Sequence, residues 1–264
     1  MDIKEFTTEV SGQKQNHPWE HARFQVVLDI LKRHLTPHYH AILDVGCGDG
    51  FFLEKLSNHY KKMRFVAVDT AFDDSMIDFF SDKYKQANVA FFKSMPHSVD
   101  GVSGADAVLL LDVIEHIEDD VAFLKQLASE PMVDHDTLFM ITVPAYQKLF
   151  CSHDVWLGHY RRYTTTLLKN HTQEAGLEII ESGYFFNSLL YPRFLQTLKE
   201  KLIRPKIDNV TGIGDWKGGS TAAKIMKSIL VADYRISRFF RIFGIKLPGL
   251  SCYIVCKKRT SGAN

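Results

Sequence analysis

Long uninterrupted apolar runs are missing from this sequence. No stretch approaches the ~20 uncharged apolar residues that a membrane-spanning helix requires, and the opening MDIKEFTTEVSGQKQNH has no apolar signal-peptide core. A cytoplasmic protein, soluble or membrane-peripheral, is expected. Cysteine is scarce as well. Cys47, Cys151, Cys252 and Cys256 show neither the paired close spacing of a zinc site nor the density of a secreted disulfide framework, so they are read as reduced thiols. An excess of one charge sign is also lacking. Lys plus Arg number 32 against 31 Asp plus Glu, which leaves no global basic field to recruit nucleic acid and argues against a DNA or RNA substrate. Repeats and low-complexity tracts are absent. What remains, 264 residues at 45% hydrophobic and 24% charged, suffices for one large α/β domain with a full core and an appended subdomain.

From Pro18 to about Leu35, Phe24, Val27, Leu28 and Leu31 recur at helical spacing and Pro37 closes the segment, so a helix precedes the sheet. Short apolar runs then alternate with helical ones. Ala41–Val45, Arg64–Val68, Val89–Phe92, Ala105–Leu111 and Leu138–Val143 are expected as strands buried on both faces, with helices near Phe51–His59, Asp74–Asp82 and Asp119–Ser129. This alternation specifies a mostly parallel sheet with helices on both sides. Thr164–Ala175, ended by Gly176, is a further helix by the same reasoning, and Glu178–Phe186 a further strand. Arg204–Gly219, with Pro205 and four glycines, is a loop by composition; Ser220–Phe243 is helical again, and Leu250–Val255 is a short terminal strand.

The segment AILDVGCGDG places Gly46, Gly48 and Gly50 at the end of the first strand, where backbone without side chains lets a nucleotide-like ligand lie against the chain. Two acids sharpen this signal. Asp44 stands just before the glycines, and Asp69 ends the second strand about 20 residues on, where a carboxylate accepts hydrogen bonds from ribose hydroxyls. The dinucleotide-binding pattern expects its third glycine three positions after the second, whereas Gly50 follows Gly48 by two. A cofactor without a pyrophosphate is therefore favoured.

With Asp44 and its GxGxG turn followed by Asp69, the chain resembles the class I S-adenosylmethionine-dependent methyltransferases over roughly Pro18–Ser188 plus the terminal strand. The resemblance implies S-adenosyl-L-methionine as cofactor and a Rossmann-like sheet of seven strands, its antiparallel last strand supplied by Leu250–Val255. It further implies that Gly46, Cys47, Gly48 and Gly50 approach the methionine and ribose, that Asp69 holds the ribose hydroxyls, and that Asp44 orients the loop or the amino group. In LLLDVIEHIEDD, the residues Asp112, Val113, Glu115 and His116 match the family's segment that passes over the cofactor after the fourth strand, with Leu111 and Asp112 as the expected contacts. A plainer account makes Asp119 and Asp120 a helix start and His116 a cap or packing residue. Ser94 stands where many relatives carry an acid facing the adenine, so Ser94 and Met95 are weaker adenine contacts. HPWEHARF resembles the aromatic-plus-arginine lead-in of one bacterial branch, which implies that Trp19 and Arg23 close over the cofactor, Arg23 pairing with its carboxylate. The alternative is a surface arginine beside a core tryptophan.

By this resemblance the chain divides into a tail (1–17), the cofactor-binding methyltransferase domain (18–188), a helical and loop insertion on the acceptor side or at an interface (189–247), and a terminal strand with its tail (248–264). The segment VPAYQKLFCSHDVWLGHYRRYT is dense in His, Asp, Tyr and Arg where a simple connection would be short. Similar HD…GHxRRYT runs occur in a bacterial branch often associated with glycan or lipid modification. Methyl transfer from a sulfonium is an in-line displacement that needs an aligned acceptor and excluded water. For a hydroxyl acceptor His153 or His159 is the candidate base, with His153 preferred, and Asp154 fixes the imidazole tautomer. Arg161 and Arg162 are candidates for binding an acceptor carboxylate or phosphate. A structural lid built from His153 and Arg161 is the competing account. A metal held by His153, Asp154 and His159 lacks supporting spacing, so no metal is expected.

Methyl transfer to oxygen or nitrogen of a small-molecule, glycan or lipid-linked acceptor is thus the expected activity. A nicotinamide-dependent oxidoreductase and a catalytically silent, cofactor-binding regulatory subunit are the alternatives. Ser220–Phe243 carries Lys224, Lys227, Arg235, Arg238 and Arg241 against the single acid Asp233, beside the apolar residues Ile225, Met226, Ile229, Leu230, Ile236, Phe239, Phe240 and Phe243. Such a helix lies in a membrane interface, or packs on its own domain or on a second subunit of a homodimer.

Overall fold

The computed structural model describes residues 17–38, 40–203 and 219–259. The loop expected over Arg204–Gly219, apart from Gly219, and the expected tails at 1–16 and 260–264 lie outside the described residues.

The chain opens with helix α1 (Pro18–His34), whose first turn begins on a proline that needs no hydrogen-bonded N–H there. Strands β1 (Ala41–Val45), β2 (Arg64–Val68) and β3 (Val89–Phe92) alternate with helices α2 (Phe51–His59) and α3 (Asp74–Lys83). Strand β4 (Ala107–Leu111), helix α4 (Asp120–Ala128) and strand β5 (Leu138–Pro144) follow. Beyond them come α5 (Ser152–Leu157), α6 (Thr165–Glu174), β6 (Leu177–Phe185), α7 (Leu190–Ile203), α8 (Ser220–Ile242) and β7 (Ser251–Lys258). One sheet holds all seven strands in the order β3-β2-β1-β4-β5-β7-β6. Strands β1 to β5 pair in parallel, whereas β7 runs antiparallel to both β5 and β6. The expected terminal strand is present and extends to Lys258.

Successive residues of the central strands serve opposite faces, as the period of two requires. Ile42, Phe65, Leu109 and Met140 join the core under α1, α2, α3 and α8, while Leu43, Val66, Leu110 and Ile141 join the one under α4 and α6. Both faces are therefore covered, and the central strands read as near-continuous apolar runs, interrupted by Asp44 in β1 and Thr142 in β5. Strand β3 departs from the expected two-sided burial. It forms the sheet edge, and Phe91 alone of its four residues is buried. Helix starts fall slightly later than periodicity placed them, because Asp119 and Thr164 are caps that accept hydrogen bonds from Ala122 N (2.9 Å) and Leu167 N (3.1 Å).

Helix α8 packs against α1 by only part of the apolar stripe, Leu230 and the half-buried Met226. Leu230, Tyr234 and Ser237 are its buried residues. Tyr234 donates to Asp29 at 2.7 Å, Arg238 pairs with Asp29 at 3.1 Å, and Arg241 pairs with Glu181 at 2.7 Å. Ile225, Ile229, Ile236, Phe239, Ile242 and Phe243 stay exposed. The polar contacts with α1 fix the buried face, and the rest of the apolar stripe points outward.

Candidate active site

The sheet order reverses between β1 and β4, and the carboxyl ends of strands at such a point frame a crevice. Here the backbone turns on left-handed residues, Gly46 (φ 75°) and Gly48 (φ 58°) after β1 and Asp112 (φ 61°) after β4. A Cβ on Gly46 would stand 2.6 Å from the Val113 side chain, so glycine is required both by backbone sign and by space. Asp69, at the end of β2, accepts hydrogen bonds from Gly48 N and Ala71 N, both at 3.0 Å. The carboxylate thereby locks the glycine turn and still keeps free acceptor lone pairs. Asp112 is fixed by Thr142 Oγ1 at 3.1 Å and by an ion pair with Arg23. The Arg23 guanidinium lies 4.4 Å from the Trp19 ring centroid.

These groups line a cavity of about 480 Å³. A further wall comes from α5, the loop after it and α7. Asp154, fully buried, sits there as a hub. Its Oδ1 accepts from His159 Nδ1 (2.9 Å) and Arg162 Nε (2.7 Å), and its Oδ2 from Cys151 N (2.9 Å) and Arg193 Nη2 (2.6 Å). Burial opposes ionisation of this carboxyl, yet the His159 bond and the two guanidinia outweigh it and hold Asp154 below the usual carboxylate range. His153 makes no hydrogen bond through its buried Nδ1 and stacks on Trp156 with centroids 5.9 Å apart. Burial, reinforced by the Arg193 charge, lowers its pKa to about 4, so the ring is neutral at physiological pH. Glu115 is wholly buried, and neither of its carboxyl oxygens has a hydrogen-bond partner. Burial and the nearby Asp112 push its pKa well above the ordinary value.

Of the residues singled out from sequence, Trp19, Arg23, Gly46, Gly48, Asp69, Leu111, Asp112, Val113, His116, His153, His159 and Arg162 line this one cavity. The others stand off it. Asp44 is buried within β1, where loss of solvent pushes its carboxyl up to about 7. Cys47 is buried behind the turn, and Gly50 abuts Tyr84, whose ring would lie 2.8 Å from an added Cβ. Ser94 and Met95 are not among the lining residues; Ser94 is exposed beyond the edge strand. Arg161 turns away as well, its guanidinium donating to Ile117 O (3.0 Å) and Glu118 O and pairing with Asp120 at 3.3 Å. The tautomer-fixing role expected of Asp154 falls on His159. His153, its neighbour in sequence, has no carboxylate partner.

Sequence reasoning named Glu115 within its segment but gave it no role of its own, and it passed over Arg193. Glu115 follows the strand-end acid Asp112 by three positions. Arg193 sits in a helix rich in leucine and aromatic residues and carried no signal at all.

A family model described as a methyltransferase domain matches residues 19–182. No curated protein matches the sequence. Among solved structures, a Galdieria sulphuraria protein described as a sarcosine dimethylglycine methyltransferase superposes with a TM-score of 0.57 at 13% identity, covering 98% of each chain. A chain from a complex between a Haloferax volcanii methyltransferase activator and a methyltransferase gives 0.55 at 15% identity over 100% of both. Phosphoethanolamine N-methyltransferase 2 of Haemonchus contortus, solved with S-adenosyl-L-methionine, gives 0.52 at 15% identity over 98% of this chain and 60% of that one.

Proposed function

The chain belongs to the methyltransferase-domain family, and we propose that it transfers a methyl group from S-adenosylmethionine to a small-molecule, glycan or lipid-linked acceptor that carries an acidic group. One observation carries this reading: a glycine turn locked by Asp69 and a corner with two buried guanidinia open into the same cavity.

The residues present fit the cofactor. A cavity of about 480 Å³ is of the size that small-molecule sites have, and its rim offers matched charges. Asp69 keeps lone pairs for two ribose hydroxyls, and the Arg23–Asp112 pair offers one cation and one anion to a zwitterionic amino-acid end. Bound there, S-adenosylmethionine supplies an electrophilic methyl on a sulfonium. His153 takes the proton of an acceptor hydroxyl. Arg162 and Arg193 share one carboxylate, Asp154, so the corner has a positive excess that suits an acceptor carboxylate or phosphate. Arg161 braces the turn that carries Ile117 and Glu118 and acts by position. This assignment keeps the HD…GHxRRYT segment of the bacterial branch on the acceptor side.

Calorimetric titration with S-adenosylmethionine and its demethylated product tests the cofactor half. Micromolar binding is expected. Asp69→Ala should weaken both ligands by on the order of 2–3 kcal/mol, roughly 30- to 150-fold, because hydrogen bonds to a charged group are the strong ones. Unchanged affinity in that variant would remove Asp69 from the site.

A peripheral membrane contact through 220–243 is also proposed, favoured by exposure of Ile225, Ile229, Phe239, Ile242 and Phe243 on one helix with Lys224, Lys227 and Arg235. No helix among the described residues is long and apolar enough to cross a membrane. Apolar side chains flanked by lysine and arginine suit the interface of an anionic bilayer. Sedimentation with anionic vesicles at low salt should carry the protein down, and added salt should release it. If it stays in the supernatant, that surface belongs to a second subunit or another partner.

A further inference from the structure

We propose that Glu115, His116 and His159 form a binding site for a borderline divalent cation of the zinc type. The three side chains come from two segments far apart in sequence. Glu115 and His116 lie on a short 3-10 turn (Ile114–His116) after β4, and His159 follows α5. The backbone draws them together, because Tyr160 N donates to Glu115 O at 2.8 Å. One potential ligand atom from each residue then lies within 4.8 Å of the others, and the rings of His116 and His159 sit 4.6 Å apart.

Three observations distinguish this cluster from incidental proximity. The Glu115 carboxyl is wholly buried, and both its oxygens lack a hydrogen-bond partner. A buried carboxylate is costly unless it is paired or coordinates a cation. His159 gives Nδ1 to Asp154 at 2.9 Å, which leaves Nε2 as its ligating nitrogen. That carboxylate–imidazole arrangement is how metal-binding histidines are oriented. Lastly, all three residues border the cavity already described, so a cation held by them would keep a coordination position open to it. The set weighed from sequence, His153 with Asp154 and His159, joined different residues. Asp154 is engaged by four hydrogen bonds and serves behind His159.

Two imidazoles and one carboxylate suit zinc or a neighbouring first-row cation better than magnesium or calcium, which prefer all-oxygen shells. Ligand atoms about 2.1 Å from zinc lie some 3.4 Å apart in a tetrahedral shell, so a small side-chain adjustment closes the cluster. A cation there would bind the oxygen of an acceptor hydroxyl and lower its pKa. That consequence rests on the methyl-transfer reading above, whereas the binding does not.

The test is therefore read without donor or acceptor. Full-length protein stripped with a chelator is titrated with zinc(II) against a chromogenic competitor, and with cobalt(II) by absorption spectroscopy. Saturable binding of one cation per chain is expected. The cobalt spectrum should lack a thiolate charge-transfer band. Glu115→Gln, His116→Ala and His159→Ala should each weaken zinc by roughly 100-fold or more, beyond the 10–100-fold typical for loss of a supporting hydrogen bond. Glu115→Gln preserves shape, and its unfolding curve establishes that it folds. Absence of saturable binding by the parent protein, equal affinity in folded variants, or a thiolate band would each overturn the site. Loss of S-adenosylmethionine binding by the parent protein would instead overturn only the methyl-transfer reading.

Discussion

Replacing His153 by alanine is expected to lower methyl-transfer turnover by about 10²–10⁴-fold, the usual contribution of a positioned base, while S-adenosylmethionine binds as before. The separation follows from position. His153 stands on α5, among Arg162, Arg193 and Asp154, whereas the glycine turn and Asp69 line the same cavity from the ends of β1 and β2. Burial first, and the Arg193 charge second, hold its pKa to about 4, so the base form is present at neutral pH. Activity of the parent enzyme should therefore stay level from neutrality down to mildly acidic pH and fall as the ring protonates. Stability follows the same sign. The folded pKa lies below the unfolded value of about 6.5, so the unfolded chain binds the extra proton, and stability drains as pH falls from 6.5 toward 4. His153→Ala should flatten that slope. Single-turnover rates beside calorimetric affinities decide the matter, and a loss of cofactor affinity in proportion to turnover would place His153 on the cofactor's side.

Asp154→Asn should destabilise the fold by about 3–5 kcal/mol, the cost of breaking a buried ion pair from one side. Asparagine matches the shape but removes the charge that balances Arg162 and Arg193, each 6% exposed. Two buried guanidinia would then face each other, and two of the carboxylate's four acceptor contacts would become clashes between donors, because each oxygen accepts two. Urea unfolding with an unchanged m-value and a lowered midpoint is the expected result. Turnover should fall as well, because His159 loses its orienting partner. A midpoint within experimental error of the parent protein would mean that Asp154 is not the anion on which this wall depends.

The sheet was legible because its signal is local. Five apolar runs of strand length, separated by helical periodicity, suffice to specify parallel pairing, and the acid-glycine turn marks where the chain order reverses. Asp69 was legible for the same reason, since a strand-end acid beside the turn is a short-range pattern. The acceptor wall was not. Both His153 and His159 lie near Asp154 in sequence, and spacing alone cannot choose between them. The choice is made by Gly158, whose left-handed backbone (φ 81°) ends α5 and folds His159 back onto the carboxylate, while adjacent residues of a helix point to different sides. Arg193 reaches Asp154 from 39 positions away, on a helix whose sequence marks no arginine as internal. The stripe on α8 was legible only in part, since Leu230 reaches the core and most of its other members do not. Apolar periodicity identified a helix but could not tell which face meets α1, where Tyr234 and Asp29 set the contact.

The order of β5, β7 and β6 in the sheet carries a consequence for biosynthesis. Strand β6 pairs with β7 alone, and β7 is translated only after α7 and α8 have emerged. Until then β5 and β6 each expose an unpaired backbone edge, and the cysteine-bearing strand that will fill the gap is still to come. Parallel strands β1 to β5 can dock in chain order as they leave the ribosome, but the sheet cannot close until the last element arrives. Such a nascent chain holds an adhesive seam open from the emergence of β5 until β7 arrives, and the same seam reopens whenever β7 frays.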